Sequence, residues 1–255
     1  MRILFIGDSI IRGTVGVDWV NDLANAFPEW QITNQGVNGD TLVKINQRLE
    51  AIFQKGGSYD YIVFNGGAND LLIPHLPSKG FLFKTAHQHL IKQGYAPRRS
   101  MREFEEAYSQ TVDLIRSYTN ARIIILTVGR MNEMPSFHLN EKREEVNEVI
   151  RKIARRDQCM VADAGKRMDE YLGNKETKDY FLENFFRVSW LDRWQCALFK
   201  RADSLSEERG LLLTIDGLHL NSIGGAIFRD EVEKYLRRVL KEQIYPGSSL
   251  ARNSS

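Results

Sequence analysis

The chain has 255 residues, 42% of them hydrophobic and 27% charged, a balance that suits one globular domain and excludes a disordered polymer. Its formal net charge of +2 is too small to mark a nucleic-acid binder, and its two cysteines, Cys159 and Cys196, cannot build a disulfide framework. No run approaches the ~20 apolar residues of a membrane span, and the opening MRILFIGDS lacks the length of a signal peptide; no stable membrane insertion and a cytoplasmic location are expected.

In chain order, short apolar β-rich runs at Ile3–Ile6, Ile32–Asn34, Tyr61–Phe64, Ile123–Thr127 and Met160–Ala162 read as strands. Between them Val17–Phe27, Thr41–Gln54, Met101–Tyr118 and Asn140–Arg156 carry apolar residues at helical spacing. In the second of these Leu42, Ile45, Leu49 and Ile52 share a face, and Asp40 is placed to cap its start. A last helix spans about Ser222 to Gln243, and after Pro246 a Gly, Ser and Asn-rich tail, 247–255, is expected to be disordered. Strands alternating with helices predict βαβ units, hence an α/β domain over residues 1–246 with a central parallel sheet of about five strands. Two segments interrupt the alternation, 71–100 and 173–213, and loops this long inside a domain carry function or fold into a cap. Cys159 opens an apolar run and is expected as a buried thiol in a strand.

Ligands of an open parallel sheet bind outside the carboxyl ends of its strands. Four short motifs fall at such ends: Gly7-Asp8-Ser9, Gly36-Val37-Asn38-Gly39-Asp40, Gly67-Ala68-Asn69-Asp70, and Asp216-Gly217-Leu218-His219 before the last helix. A serine hydroxyl needs a neighbouring base to become a nucleophile, and His219 is the natural one. Asp216, three residues earlier, can hold the imidazole in the required tautomer. A tetrahedral intermediate also needs donors for its oxyanion: the Ser9 N–H at a strand-to-helix turn, a loop glycine such as Gly39, and the Asn69 amide. Each motif alone is weak, since Gly-Asp ends many strands and DxxH arises by chance; their joint occurrence in this order carries the reading. Rival motifs fail. Ile11 stands where a G-x-S-x-G elbow needs Gly, Gly13-Thr14 lacks the P-loop Lys, and His87-Gln-His89 has no further metal ligands beside it.

The blocks GDSIIRG, NGDT, GAND and DGLHLN resemble those of the SGNH (GDSL-like) hydrolase family, in order and over nearly the whole chain. The resemblance implies a flavodoxin-like three-layer α/β/α sandwich and esterase, lipase or thioesterase chemistry on a small-molecule ester, with no metal or cofactor. It assigns Ser9, Asp216 and His219 as the triad and Ser9, Gly39 and Asn69 as oxyanion donors, choosing Gly39 over Gly36. Ile10 in place of Leu and the two long inserts depart from the family pattern, and the inserts put the substrate in question. The same constellation serves hydrolysis, thioester cleavage and acyl transfer, and nothing in the sequence sets an oligomeric state.

The first insert bears on the substrate through charge. From Leu71 to Arg102 there is no Asp or Glu, while Lys79, Lys84, Lys92, Arg98, Arg99 and Arg102 are cationic. Such a rim would attract phosphate or carboxylate, although Glu103, Glu105 and Glu106 follow it and can balance it. In the second insert Phe186, Trp190 and Trp194 recur at four-residue steps, with Phe185 adjoining. That stripe predicts an amphipathic helix, packed on the core or lining an acyl pocket.

Overall fold

In β1 (Arg2–Gly7), Ile3 and Phe5 enter one apolar cluster and Leu4 and Ile6 another, and all four are fully buried. The same period-two division recurs in β3 (Tyr61–Asn65) and β4 (Arg122–Leu126), as expected of strands covered on both faces. With β2 (Gln31–Gly36) and β5 (Met160–Ala162) they form one parallel sheet in the order β2-β1-β3-β4-β5. This computed structural model describes residues 1–184 and 186–244; Phe185 and the tail expected at 247–255 lie outside the described residues.

Helices cover both faces. Between β1 and β2 run α1 (Ser9–Arg12) and α2 (Trp19–Ala26), and α3 (Leu42–Gln54) leads to β3. Next come α4 (Ala68–His75), α5 (Phe81–Lys92) and α6 (Met101–Tyr118), with α7 (His138–Arg156) between β4 and β5. After β5 follow α8 (Ala164–Leu172), α9 (Asp192–Phe199), α10 (Ala202–Glu208) and α11 (Ser222–Ile244). Trp19 and Leu23 of α2, Met168 of α8, and Phe228 and Val232 of α11 pack on one side of the sheet. The other side is covered by Ile45 and Leu49 of α3, Tyr108 and Val112 of α6, and Val146 and Ile150 of α7. The result is the flavodoxin-like α/β/α sandwich. Strand order reverses beside β1, so the carboxyl ends of β1, β2 and β3 open a crevice between them.

The five strands and five helices that the periodicity predicts are all present, within a few residues at their ends. Two expectations change. Asp40 does not cap α3: the N-cap position is Thr41 without a side-chain bond, Asp40 pairs with Arg48 at 2.6 Å, and the Leu42 N–H donates to Asp70 at 3.1 Å. Cys159 precedes β5 and is only half-buried, while Cys196 is buried; both thiols are free. The long inserts fold in part as short helices, one of the alternatives expected of them. α4, a 3-10 turn at Leu76–Lys79 and α5 fill the first, and Pro74 and Pro77 hid that helicity by punctuating the pattern. Their apolar residues Leu72, Ile73, Leu76 and Phe83 form a separate small core with Phe181, Leu182 and Leu218.

Candidate functional site

Ser9 is positioned by the turn from β1 into α1. Asp8 occupies the N-cap and its Oδ1 accepts the Ile10 N–H at 2.9 Å, which sets Ser9 as the first helical residue at the mouth of the crevice. Burial lifts the Asp8 carboxyl to about 7 against the opposing pull of the Ile10 N–H and of His219.

Asp216 and His219 sit in a tight loop before α11. Thr214 and Leu220 pair as an antiparallel bridge, and the Ile215 N–H donates to the His219 carbonyl at 2.7 Å. Inside that loop Asp216 Oδ1 accepts the N–H groups of Leu218 at 3.0 Å and His219 at 2.8 Å. Its Oδ2 lies 2.7 Å from His219 Nδ1, and His219 Nε2 lies 3.1 Å from Ser9 Oγ. With a carboxylate at Nδ1, the neutral ring carries its proton there and turns the Nε2 lone pair to the hydroxyl. Gly217 closes the loop at φ +86°, and a Cβ there would meet the Tyr180 carbonyl at 2.4 Å, so no other residue fits. Burial opposes a charged imidazole, yet the Asp216 carboxylate prevails and holds His219 above its ordinary value. Conversely, burial would raise Asp216, but His219 and the two loop N–H groups hold it below the usual carboxylate range.

Gly39 and Asn69 come to the same place from the other two strand ends. The N–H groups of Ser9 and Gly39 have no acceptor among the described residues. Gly39 adopts φ +82° with nothing within 4 Å of a would-be Cβ, so its face to the crevice is open. Asn69, buried at the start of α4, donates through Nδ2 to the Asp40 carbonyl at 3.0 Å and more weakly to Asp8 Oδ2 at 3.4 Å. The next residue, Asp70, accepts the N–H groups of Leu42 and Arg98 at 3.1 and 3.0 Å, which pins α4 to the loops on either side. All five residues singled out in the sequence, Ser9, Gly39, Asn69, Asp216 and His219, are thus brought together.

Several supports were not anticipated. Glu133 is 1% exposed and its carboxylate accepts four hydrogen bonds: from the N–H groups of Leu212, Leu213 and Thr214 and from the Thr214 hydroxyl, at 2.7–2.8 Å. The Asn132 N–H beside it donates to the Gly217 carbonyl at 2.6 Å. Arg209, paired with buried Asp192 at 2.7 Å, donates to the Ile215 carbonyl at 2.6 Å. The second insert therefore braces the loop that carries Asp216 and His219. Glu133 follows β4 in the sequence, but a lone acid after a strand carries no signature of its own.

Above Ser9 lies a pocket of about 300 Å³ whose walls include Leu72, Ile73, Phe83, Leu90 and Leu218, with Arg193 at its rim. The wall comes chiefly from the first insert. For Phe186, Trp190 and Trp194 neither sequence reading of the aromatic stripe holds, since they are 65%, 68% and 54% exposed and line neither core nor pocket; Phe185 lies outside the described residues. The segment is helical, a π-type turn at Arg187–Leu191 running into α9, and Trp190 and Trp194 share a face, their rings 6.5 Å apart, but that face is turned to solvent. His87 and His89 lie on α5, where His89 Nε2 is 2.8 Å from Gln93 Nε2, and no metal-ligating cluster occurs among the described residues. Among those residues, too, no helix is long and apolar enough to cross a membrane.

Comparison with known proteins bears on fold and family. Residues 5–227 match the sequence family described as GDSL-like Lipase/Acylhydrolase family. The acetyl xylan esterase AlAXEase is similar in structure, with a TM-score of 0.62 at 18% identity over 92% of this chain and 100% of that one. So is a lipolytic protein of the G-D-S-L family from Veillonella parvula, at 0.61 and 17% identity over 93% of this chain and 99% of that one. Axe2, an acetylxylan esterase from Geobacillus stearothermophilus, follows at 0.59 and 18% identity over 93% of each chain. No curated protein matches the sequence.

Proposed function

Because the chain belongs to the GDSL-like lipase/acylhydrolase family, we propose that it hydrolyses carboxylic esters with Ser9 as nucleophile, His219 as base and Asp216 as the carboxylate that orients it. The observation that carries this reading is the unbroken relay of 2.7 Å from Asp216 to His219 and 3.1 Å from His219 to Ser9. Ser9 Oγ attacks the ester carbonyl carbon while its proton passes to His219 Nε2, and the carbonyl electron pair moves onto oxygen. That oxyanion is met by the N–H groups of Ser9 and Gly39 and by the Asn69 amide, which exchanges its long bond to Asp8 for the developing charge. Collapse breaks the bond to the alkoxy group, which leaves with the proton from Nε2. Water then gives its proton to Nε2 as its oxygen attacks the acyl-enzyme, and a second collapse frees the acid and returns the proton to Ser9. No step calls for a metal or cofactor.

A pocket near 300 Å³ with aliphatic walls lies at the small end of ligand sites and suits a short acyl group. Short-chain esters, including O-acetylated sugars such as the acetyl xylan esterases named above act on, are the substrate class we assign. The deciding experiment is labelling by a fluorophosphonate probe together with turnover of p-nitrophenyl esters. Wild-type protein is expected to react in both, and Ser9→Ala in neither while remaining folded; labelling that survives in Ser9→Ala removes Ser9 from its role.

A further inference from the structure

Across the α4–α5 hairpin from Ser9 lies a second, larger groove of about 890 Å³. The hairpin is a shared wall. Leu72 and Ile73 of α4 and Ala86 and Leu90 of α5 face the Ser9 pocket, while Pro74 and His75 of α4 and His87 and Ile91 of α5 face the groove. Buried Phe104, Leu139 and Val146 form an apolar floor. Around it stand Arg98, Arg99 and Lys142 with the imidazoles of His75, His87 and His138.

The balancing carboxylates are few. Asp70 is committed to the N–H groups of Leu42 and Arg98, and Glu103 takes the Arg99 N–H at 3.1 Å, which leaves exposed Glu145 on the wall. Arg98 Nε is buried without a hydrogen-bond partner among the described residues. Helix α7 begins at the groove with His138 and has no side-chain cap, and its first turn carries Glu141. The His75 and His138 rings lie 4.9 Å apart. Burial, then His138, Lys79 and Lys142, hold His75 below its ordinary value, as crowded like charges should.

We propose that this groove is a binding site for an amphiphilic anion, its phosphate or carboxylate head held by Arg98, Arg99 and Lys142 and its hydrocarbon body laid on Phe104, Leu139 and Val146. Such a ligand supplies the missing negative charge and covers the apolar floor, and neither contact requires the Ser9 pocket.

The test is titration of uniformly 15N-labelled protein with octyl phosphate, octanoate and neutral 1-octanol, read by amide NMR shifts. Saturable shifts are expected at Arg98–Met101 and His138–Leu139 with octyl phosphate or octanoate, and the tighter of the two identifies the headgroup. Arg99→Glu combined with Lys142→Glu alters exposed side chains only and should weaken that binding about tenfold or more, whereas Arg193→Glu at the rim of the Ser9 pocket should not. Octanol binding as tightly as the anions, shifts centred on Ser9 and His219, or undiminished affinity in the double variant would each overturn the proposal. The wild-type shift map decides the location even if the variant fails to fold.

Discussion

Glu133→Gln isolates the brace beneath the Asp216–His219 loop. The wild-type carboxylate takes three bonds on Oε1, from the N–H groups of Leu213 and Thr214 and the Thr214 hydroxyl, and one on Oε2, from the Leu212 N–H. Glutamine can keep its oxygen at the Oε1 position, but its NH2 then faces the Leu212 N–H, donor against donor. A hydrogen bond to a charged group contributes about 1.5–3 kcal/mol and a buried unpaired N–H costs about 1–3 kcal/mol, two descriptions of the same loss, so the change should destabilise by about 2–3 kcal/mol. In a domain of this size that corresponds to a fall in Tm of about 5–10 °C. Glu133→Ala leaves three backbone N–H groups unpaired and should cost more. Urea and thermal unfolding measure the stability, and p-nitrophenyl acetate turnover well below Tm reports the loosened loop. A Tm within about 1 °C of wild type for Glu133→Gln would refute the argument, because it would mean that these bonds are replaced at no cost.

Other consequences are as direct. His219 must be neutral to act as base and the Asp216 carboxylate holds its pKa above that of a free imidazole, so the acid limb of kcat/KM should lie at higher pH than a free imidazole would give; Asp216→Asn should move it to lower pH and cut kcat by roughly 10⁴. The same upward shift stabilises the fold fully below the unfolded value near 6.5 and less as pH rises through the folded one, which urea midpoints at several pH values would reveal. Asn69→Ala should lower kcat by roughly 10²–10³ with a smaller change in KM, and an unchanged kcat with chemistry rate-limiting would deny the amide a part in binding the oxyanion. Phe83→Ala should extend acyl preference to longer chains by opening the pocket wall, whereas Trp190→Ala, which alters a solvent-facing ring, should leave the chain-length profile unchanged.

How much of this was legible in the sequence follows from how local each determinant is. Strand and helix periods are properties of neighbouring residues, so Ile3–Ile6 and Met101–Tyr118 announce themselves, and parallel pairing follows from their alternation. The four motifs were legible for a related reason: strand ends in an open parallel sheet converge by topology, which places Ser9 and His219 together across 210 positions of sequence. Glu133 was not, because a lone acid after a strand has no local signature; its role exists only once Leu212–Thr214 fold back onto it. The aromatic stripe misled for the opposite reason. Four-residue spacing reports that side chains share a helix face, but which way the face turns depends on what the helix packs against. In α9 the buried partners are Asp192, held by Arg209, and Cys196, and the tryptophans are left outside. Period and motif thus determined the elements and the grouping of the candidate site residues, while long-range polar contacts and the docking of short helices determined the brace, the pocket wall and the outward turn of Trp190 and Trp194, since their energies come from residues far apart in the chain.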